Sequence, residues 1–90
     1  MNPLLTFNDL HYFESTARLK SISKAAEEQF ISQPAISLSL KKTENYFGTA
    51  LFTRGPHSLD LTNAGAKLYP LVKDLLKLQD ELFISTSSSQ

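Results

Sequence analysis

Apolar residues recur at helical spacing along most of this chain, and the pattern breaks only where turn-forming residues cluster. Leu10, Phe13 and Ala17, with Tyr12 and Leu19 nearby, form the inner stripe of a first helix over residues 7–19, capped by Thr6 or Asn8. A second, short helix over residues 23–29 carries Ala25 and Ala26, small enough to let a neighbouring helix approach closely. Ser32 is a good N-cap, because its hydroxyl accepts an orphan backbone N–H. Gln33 and Pro34 fall in the first turn that follows, where a missing N–H costs nothing. Ile36, Leu40, Thr43 and Phe47 then mark the buried stripe of a third helix, which ends near Gly48.

Two alternating segments follow, residues 51–54 and 59–62, with Gly55, Pro56, His57 and Ser58 between them. Alternation around turn-forming residues predicts a β-hairpin. Thr62 can cap a long last helix reaching about Phe83. Leu68, Leu71, Leu75, Leu78 and Leu82 step by three and four, a heptad seam. A second seam, Tyr69, Val72, Leu76, Gln79 and Phe83, lies beside it. One seam is expected to pack on the domain and the other on a second copy, because so wide an apolar surface is hard to hide in a 90-residue monomer. Pro70 is expected to kink this helix or loosen one turn. Residues 85–90 are Ser-rich, low in complexity and expected to be disordered.

Two helices joined by a tight link, the second with a polar outer face, predict a helix-turn-helix, and the hairpin after it is a wing. The polar face of the third helix carries Gln33, Ser37, Lys41 and Lys42, with Glu44 the acid near them. Such a helix docks by one face and offers the other to a nucleic-acid groove. Each residue also has a plain reading. Gln33 and Ser37 suit an ordinary solvated first turn. Lys41 and Lys42 suit a solvated face as well as phosphate. Arg54, near the wing tip, can pair with a carboxylate of its own domain or reach DNA, and His57 can be a simple turn residue. Ser23 and Ser32 are capping candidates first, and at least one of them is expected to help hold a phosphate.

Nine basic and nine acidic residues leave no formal net charge, which argues mildly against a non-specific nucleic-acid coat. Distribution matters more. Residues 40–57 hold Lys41, Lys42 and Arg54 against Glu44, and residues 16–24 hold Arg18, Lys20 and Lys24 with no acid. Moderate attraction to phosphate is expected. There is no Cys, so disulfides and thiolate metal sites are excluded, and His11 and His57 make no metal cluster. The first twenty residues lack the apolar run of a secretion signal, and no run approaches the ~20 residues of a membrane span, so the chain reads as cytoplasmic. Catalysis has little support. His11 has Glu14 one turn away but no placed nucleophile, and the adjacent pairs Glu27–Glu28 and Asp80–Glu81 diverge on a helix. Gly48, Gly55 and Gly65 are too far apart for a phosphate-cradling loop.

At this point the chain resembles the DNA-binding domain of LysR-type transcriptional regulators. The motifs are Leu10-x-Tyr12-Phe13, Ser21-Ile22-Ser23-Lys24-Ala25-Ala26, Ile31-Ser32-Gln33-Pro34-Ala35-Ile36-Ser37 and Leu40-x-x-x-Glu44. Two more follow, Phe47-Gly48-x-x-Leu51-Phe52-x-Arg54 and Leu59-x-Leu61-Thr62-x-Ala64-Gly65. Single pieces are weak, but the ordered set over about residues 7–84 is specific. The resemblance implies a mainly α fold: a winged helix-turn-helix of three helices and a two-stranded wing over residues 1–62, then a linker and dimerisation helix over 63–84. It also implies a homodimer on double-stranded promoter DNA, often within a tetramer. A larger C-terminal domain that binds a small-molecule inducer is expected to follow and is absent here; no cofactor is implied.

Carried over by position, Gln33, Pro34 and Ser37 match the family's groove-facing residues. Leu38 stands where the family commonly has Arg. An Arg there can pair with guanine, whereas Leu offers only apolar contact, for example to a thymine methyl. Thr43 replaces a usual Leu on the buried stripe. His57 replaces a usual cation in the wing, which makes its charge pH-dependent. The rival reading is a helical module that only self-associates, with DNA binding lost.

Overall fold

The computed structural model describes residues 4–55 and 59–88. Helix α1 (Phe7–Leu19), α2 (Ile22–Gln29) and α3 (Gln33–Phe47) precede a hairpin of β1 (Phe52–Arg54) and β2 (Leu59–Leu61), and α4 (Asn63–Ser88) closes the chain. The strands pair antiparallel, with Phe52 opposite Leu61 and Arg54 opposite Leu59. This is the mainly helical, winged helix-turn-helix architecture expected from the sequence.

Each helix starts where a side chain satisfies a free N–H. Thr6 closes a capping box with Asp9: its hydroxyl accepts from the Asp9 N–H at 3.1 Å and its own N–H donates to Asp9 Oδ2 at 3.0 Å. Ser21, in extended backbone, accepts from the Lys24 N–H at 3.0 Å. Helix α2 therefore begins at Ile22, one residue before the predicted start, and Ser23 lies inside its first turn. Ser32 accepts from the Ala35 N–H at 3.2 Å. Helices α1, α2 and α3 end on left-handed residues, Lys20, Phe30 and Gly48.

Phe13 is the centre of the core. It is fully buried and its ring meets Phe52 of the wing at 5.5 Å and Tyr69 of α4 at 6.4 Å. Leu10, Ala25, Ala26, Ile36, Leu40, Leu51, Val72 and Leu76 surround it. Burying one such side chain contributes about 1.5–3 kcal/mol. The third-helix stripe departs from the expected one at its end. Phe47 is 41% exposed, because the last turn of α3 overruns the core and the ring stacks edge-on against Tyr46. Ser39, in the middle of the helix, is buried beside the stripe.

The two seams of α4 part as the pattern suggested. Val72 and Leu76 are buried, Tyr69 Oη donates to Glu14 at 3.2 Å, and Gln79 bonds His11 at 2.8 Å. Phe83, at the far end of that seam, is exposed beyond the reach of the domain. Leu71, Leu75, Leu78 and Leu82 are exposed, while Leu68 is half-buried against the core. Pro70 lies within α4 without ending it. The helix also runs through Ser88, where the Ser-rich composition predicted a disordered tail. Thr86 donates back to the Leu82 carbonyl at 2.8 Å, so a hydroxyl joins the helix instead of competing with it.

Thr62 joins the wing to α4. Its N–H donates to Leu51 O at 2.9 Å, its hydroxyl donates to Ala50 O at 2.7 Å, and the same oxygen caps α4 by accepting from the Gly65 N–H at 3.0 Å. Gly65 is where this junction is tightest: a Cβ there would sit 2.2 Å from Leu51 O. Gly65→Ala should therefore cost about 1–3 kcal/mol of stability through overpacking. Gly48→Ala, strained by a φ of 71° but facing open space, should cost about 1 kcal/mol. Urea unfolding midpoints check the order; equal losses would show that the junction yields freely.

Candidate nucleic-acid interface

Two carboxylates hold α3 from opposite sides. Asp9, at the start of α1, accepts from Ser39 Oγ at 2.7 Å and pairs with Lys42 Nζ at 2.8 Å. Glu44 Oε2 accepts from the Leu51 N–H at 2.7 Å and the Phe52 N–H at 3.2 Å, which ties the end of α3 to the first wing strand. With Ile36, Leu40 and Thr43 buried between these anchors, the helix has one rotational setting. The Thr43 hydroxyl is satisfied by the Ser39 carbonyl at 2.9 Å, which is how a hydroxyl is tolerated on the buried stripe.

What this setting turns outward differs in detail from the sequence reading. Pro34, Leu38, Lys41 and Asn45 are exposed and follow one another at i, i+4, i+7 and i+11, the spacing of one helix face. Gln33 is exposed at the first turn. Ser37 is half-buried on the flank nearer the wing. Lys42 was grouped with Lys41 on sequence grounds, but its ammonium is turned to Asp9. The reason is tertiary: the acid comes from α1, thirty-three positions away in the chain. Asn45 was missed, although its spacing from Leu38 and Lys41 was legible.

Pro34, Ser37, Leu38, Lys41 and Glu44 of α3, with Arg54 of β1, line an open groove of about 570 Å³ between the helix and the wing. Neither Lys41 nor Arg54 has an ion-pair partner among the described residues. Arg54 thus stands at the wing without the intradomain carboxylate that was its plain alternative. His57 lies outside the described residues. The second cationic stretch is largely neutralised: Arg18 is held by Glu14 at 2.9 Å and also by Glu28, and Lys20 lies 3.6 Å from Asp60. Lys24 alone of the three has no such partner among the described residues. Ser23 is exposed in the first turn of α2, and Ser32 Oγ is engaged as the cap of α3.

Among the described residues no group of three or more His, Asp or Glu side chains is placed to hold a metal, and no helix is long and apolar enough to cross a membrane. His11 is occupied by Gln79, so the His11 and Glu14 pair is drawn into the contact between α1 and α4.

A family model described as bacterial regulatory helix-turn-helix protein, lysR family, matches residues 7–66. The carbapenem-hydrolyzing beta-lactamase transcriptional activator of Enterobacter cloacae is 38% identical over 78 residues, which is 87% of this chain and 26% of that protein. The glycine cleavage system transcriptional activator of Escherichia coli K12 is 38% identical over 76% of this chain and 22% of its own length. The chain thus spans about a quarter of the length of the curated relatives it matches. In structure it is similar to the BenM DBD/catB site 1 DNA complex, with a TM-score of 0.88 and 27% identity over 94% of this chain and 98% of that one. It is also similar to the oxidized form of Corynebacterium glutamicum OxyR, with a TM-score of 0.86 and 31% identity over 99% of this chain and 28% of that one.

The Asp9 anchor has a pH signature. Burial alone raises the carboxyl's pKa, but hydrogen bonds from Lys42, Ser39 and Thr6 outweigh it and bring the value from 3.8 to about 2. The folded value lies below the unfolded one, so the group adds stability above about pH 4 and loses it as pH falls toward 2. The native chain should therefore lose about 2 kcal/mol between pH 5 and 2 that Asp9→Asn, already weaker at neutral pH, does not lose. Parallel stability curves for the two proteins would refute the anchor.

Proposed function

This chain belongs to the lysR family of bacterial regulatory helix-turn-helix proteins, and from that premise we propose how it binds DNA. It is the DNA-binding domain of a LysR-type regulator. We read it as sequence-specific for double-stranded promoter DNA, working in the cytoplasm without catalysis, and as a homodimer. The observation that carries this reading is the clamped α3, whose inner face is buried and whose outer face, flanked by the wing, is free.

In this reading α3 enters the major groove. Gln33 and Ser37 meet base edges through amide and hydroxyl groups. Lys41 and Arg54, the unpaired cations beside the groove, lie against phosphates. Ser23 and Ser32 bring the hydroxyl-bearing starts of α2 and α3 to the same backbone. His57, between the two wing strands in sequence, is a further candidate for contact with phosphate. Lys42 acts through Asp9, setting the angle of the helix instead of touching DNA.

The exposed seam of α4, Leu71, Leu75, Leu78 and Leu82 with Leu68 at its inner end, supports pairing of two copies through antiparallel linker helices. Such a pair fixes the distance between two α3 helices, so the operator is a partial palindrome. In a longer protein, a further domain binding a small-molecule inducer and assembly to a tetramer would add avidity. A module that only self-associates shares the seam, but it does not explain two cations beside an exposed helix face that have no ion-pair partner among the described residues. Salt-sensitive gel shifts on promoter fragments separate the two readings.

Gln33→Ala should relax sequence preference more than it lowers total affinity. Lys41→Ala should weaken all duplexes alike and flatten the salt slope by about 0.9. Binding isotherms at several salt concentrations decide, and identical behaviour of the two variants would refute the roles given to them. Leu75→Asp should convert the dimer to monomer in sedimentation, with the helical content of the monomer retained; an unchanged dimer rules out the seam.

A further inference from the structure

Leu38 is 71% exposed and stands apart from the other exposed apolar side chains of the described residues. Those belong to the start of α1, the turn after α2, the end of α3, and the outer seam and far end of α4. Leu38 interrupts the polar side of α3. At about 100° per residue it points roughly opposite the mean direction of Ile36, Leu40 and Thr43. No setting of α3 compatible with the Asp9 and Glu44 anchors buries it in its own domain. Its surroundings are those of a reading head. Pro34 lies one turn before it, Lys41 nearly one turn after, and Ser37 and Arg54 complete the groove.

Resting on the reading of α3 as the groove helix, we propose that Leu38 is a specificity-determining residue that selects thymine by its C5-methyl group. A leucine side chain has no donor or acceptor. In the major groove thymine alone presents a methyl group, beside its O4 acceptor, while guanine, adenine and cytosine offer donors and acceptors with no methyl to cover. Leu38 thus discriminates twice. It gains by covering the methyl, and at any other base it shields from water a polar edge it cannot satisfy. The neighbouring chemistry suits this. Pro34 is also without an N–H and widens the apolar strip, and Lys41 and Arg54 supply a sequence-independent pull that brings the strip to van der Waals distance. Glu44, the acid in the lining, has a carboxylate oxygen engaged by the Leu51 and Phe52 N–H groups.

The test begins with duplexes selected from random DNA by the 90-residue chain. Each thymine of the selected half-site is then replaced, one at a time, by deoxyuridine, which keeps the hydrogen-bonding edges and lacks only the methyl. At one position this should weaken binding of the native chain about fourfold, the worth of one buried methyl-sized group. Leu38→Ala, at an exposed position and therefore folded as judged by an unchanged melting curve, should bind thymine and uracil there equally. Leu38→Arg should move the preference at that position to guanine. Specific binding by the native chain that tolerates deoxyuridine everywhere overturns the assignment while leaving the DNA-binding reading intact. So does full methyl dependence in Leu38→Ala. The absence of salt-sensitive binding to any duplex overturns both.

Discussion

The Asp9 carboxylate accepts hydrogen bonds from Thr6 and Ser39 and an ion pair from Lys42, and through them it joins the start of α1 to the middle of α3. Hydrophobic contact alone is a weak guide to rotation, since an apolar stripe can roll by tens of degrees at small cost. A buried carboxylate with fixed donors cannot roll without leaving a charge unsatisfied, and that penalty is several times the worth of a single hydrogen bond. The directional contacts therefore set which residues of α3 face solvent, and the core supplies the force that holds them there. Functional geometry in this domain rests on that division of labour.

Glu44, near the C-terminal end of α3, repeats the device from the helix's own side. Its two backbone partners, Leu51 and Phe52, open the wing, and Thr62 returns the chain to Ala50 and Leu51 before starting α4. Gly65 allows α4 to pass against Leu51, where a side chain would collide. Helix, wing and linker are thus one continuous hydrogen-bonded circuit around Phe13, whose ring touches both the wing and α4. A groove between α3 and the wing keeps its width because both of its walls belong to that circuit.

The charges show the same economy of position. In a chain with no net charge, attraction to a polyanion depends on where acids and cations stand and not on their sum. Asp9, Glu14, Glu28 and Asp60 each engage a cation of the domain, whereas Lys41 and Arg54 stand unpaired beside the groove among the described residues. The electrostatic face is produced by folding, from a sequence with no excess of either sign.

Element types, most boundaries and the hairpin were legible in the chain because they depend on neighbours within about a turn: the Thr6, Ser32 and Thr62 caps, the Ile36–Leu40–Thr43 stripe, and the glycine that ends α3. The presence of an inner and an outer seam on α4 was legible for the same reason. Tertiary structure alone decided the rest. It took Lys42 from the outer face and gave it to Asp9. It brought Glu28 of α2 to Arg18, which Glu14 already meets one turn away on α1, and it left Phe47 past the edge of the core. Helical periodicity records that a residue is opposite the core; which partner reaches it depends on elements far away in sequence, and no local pattern encodes their distance.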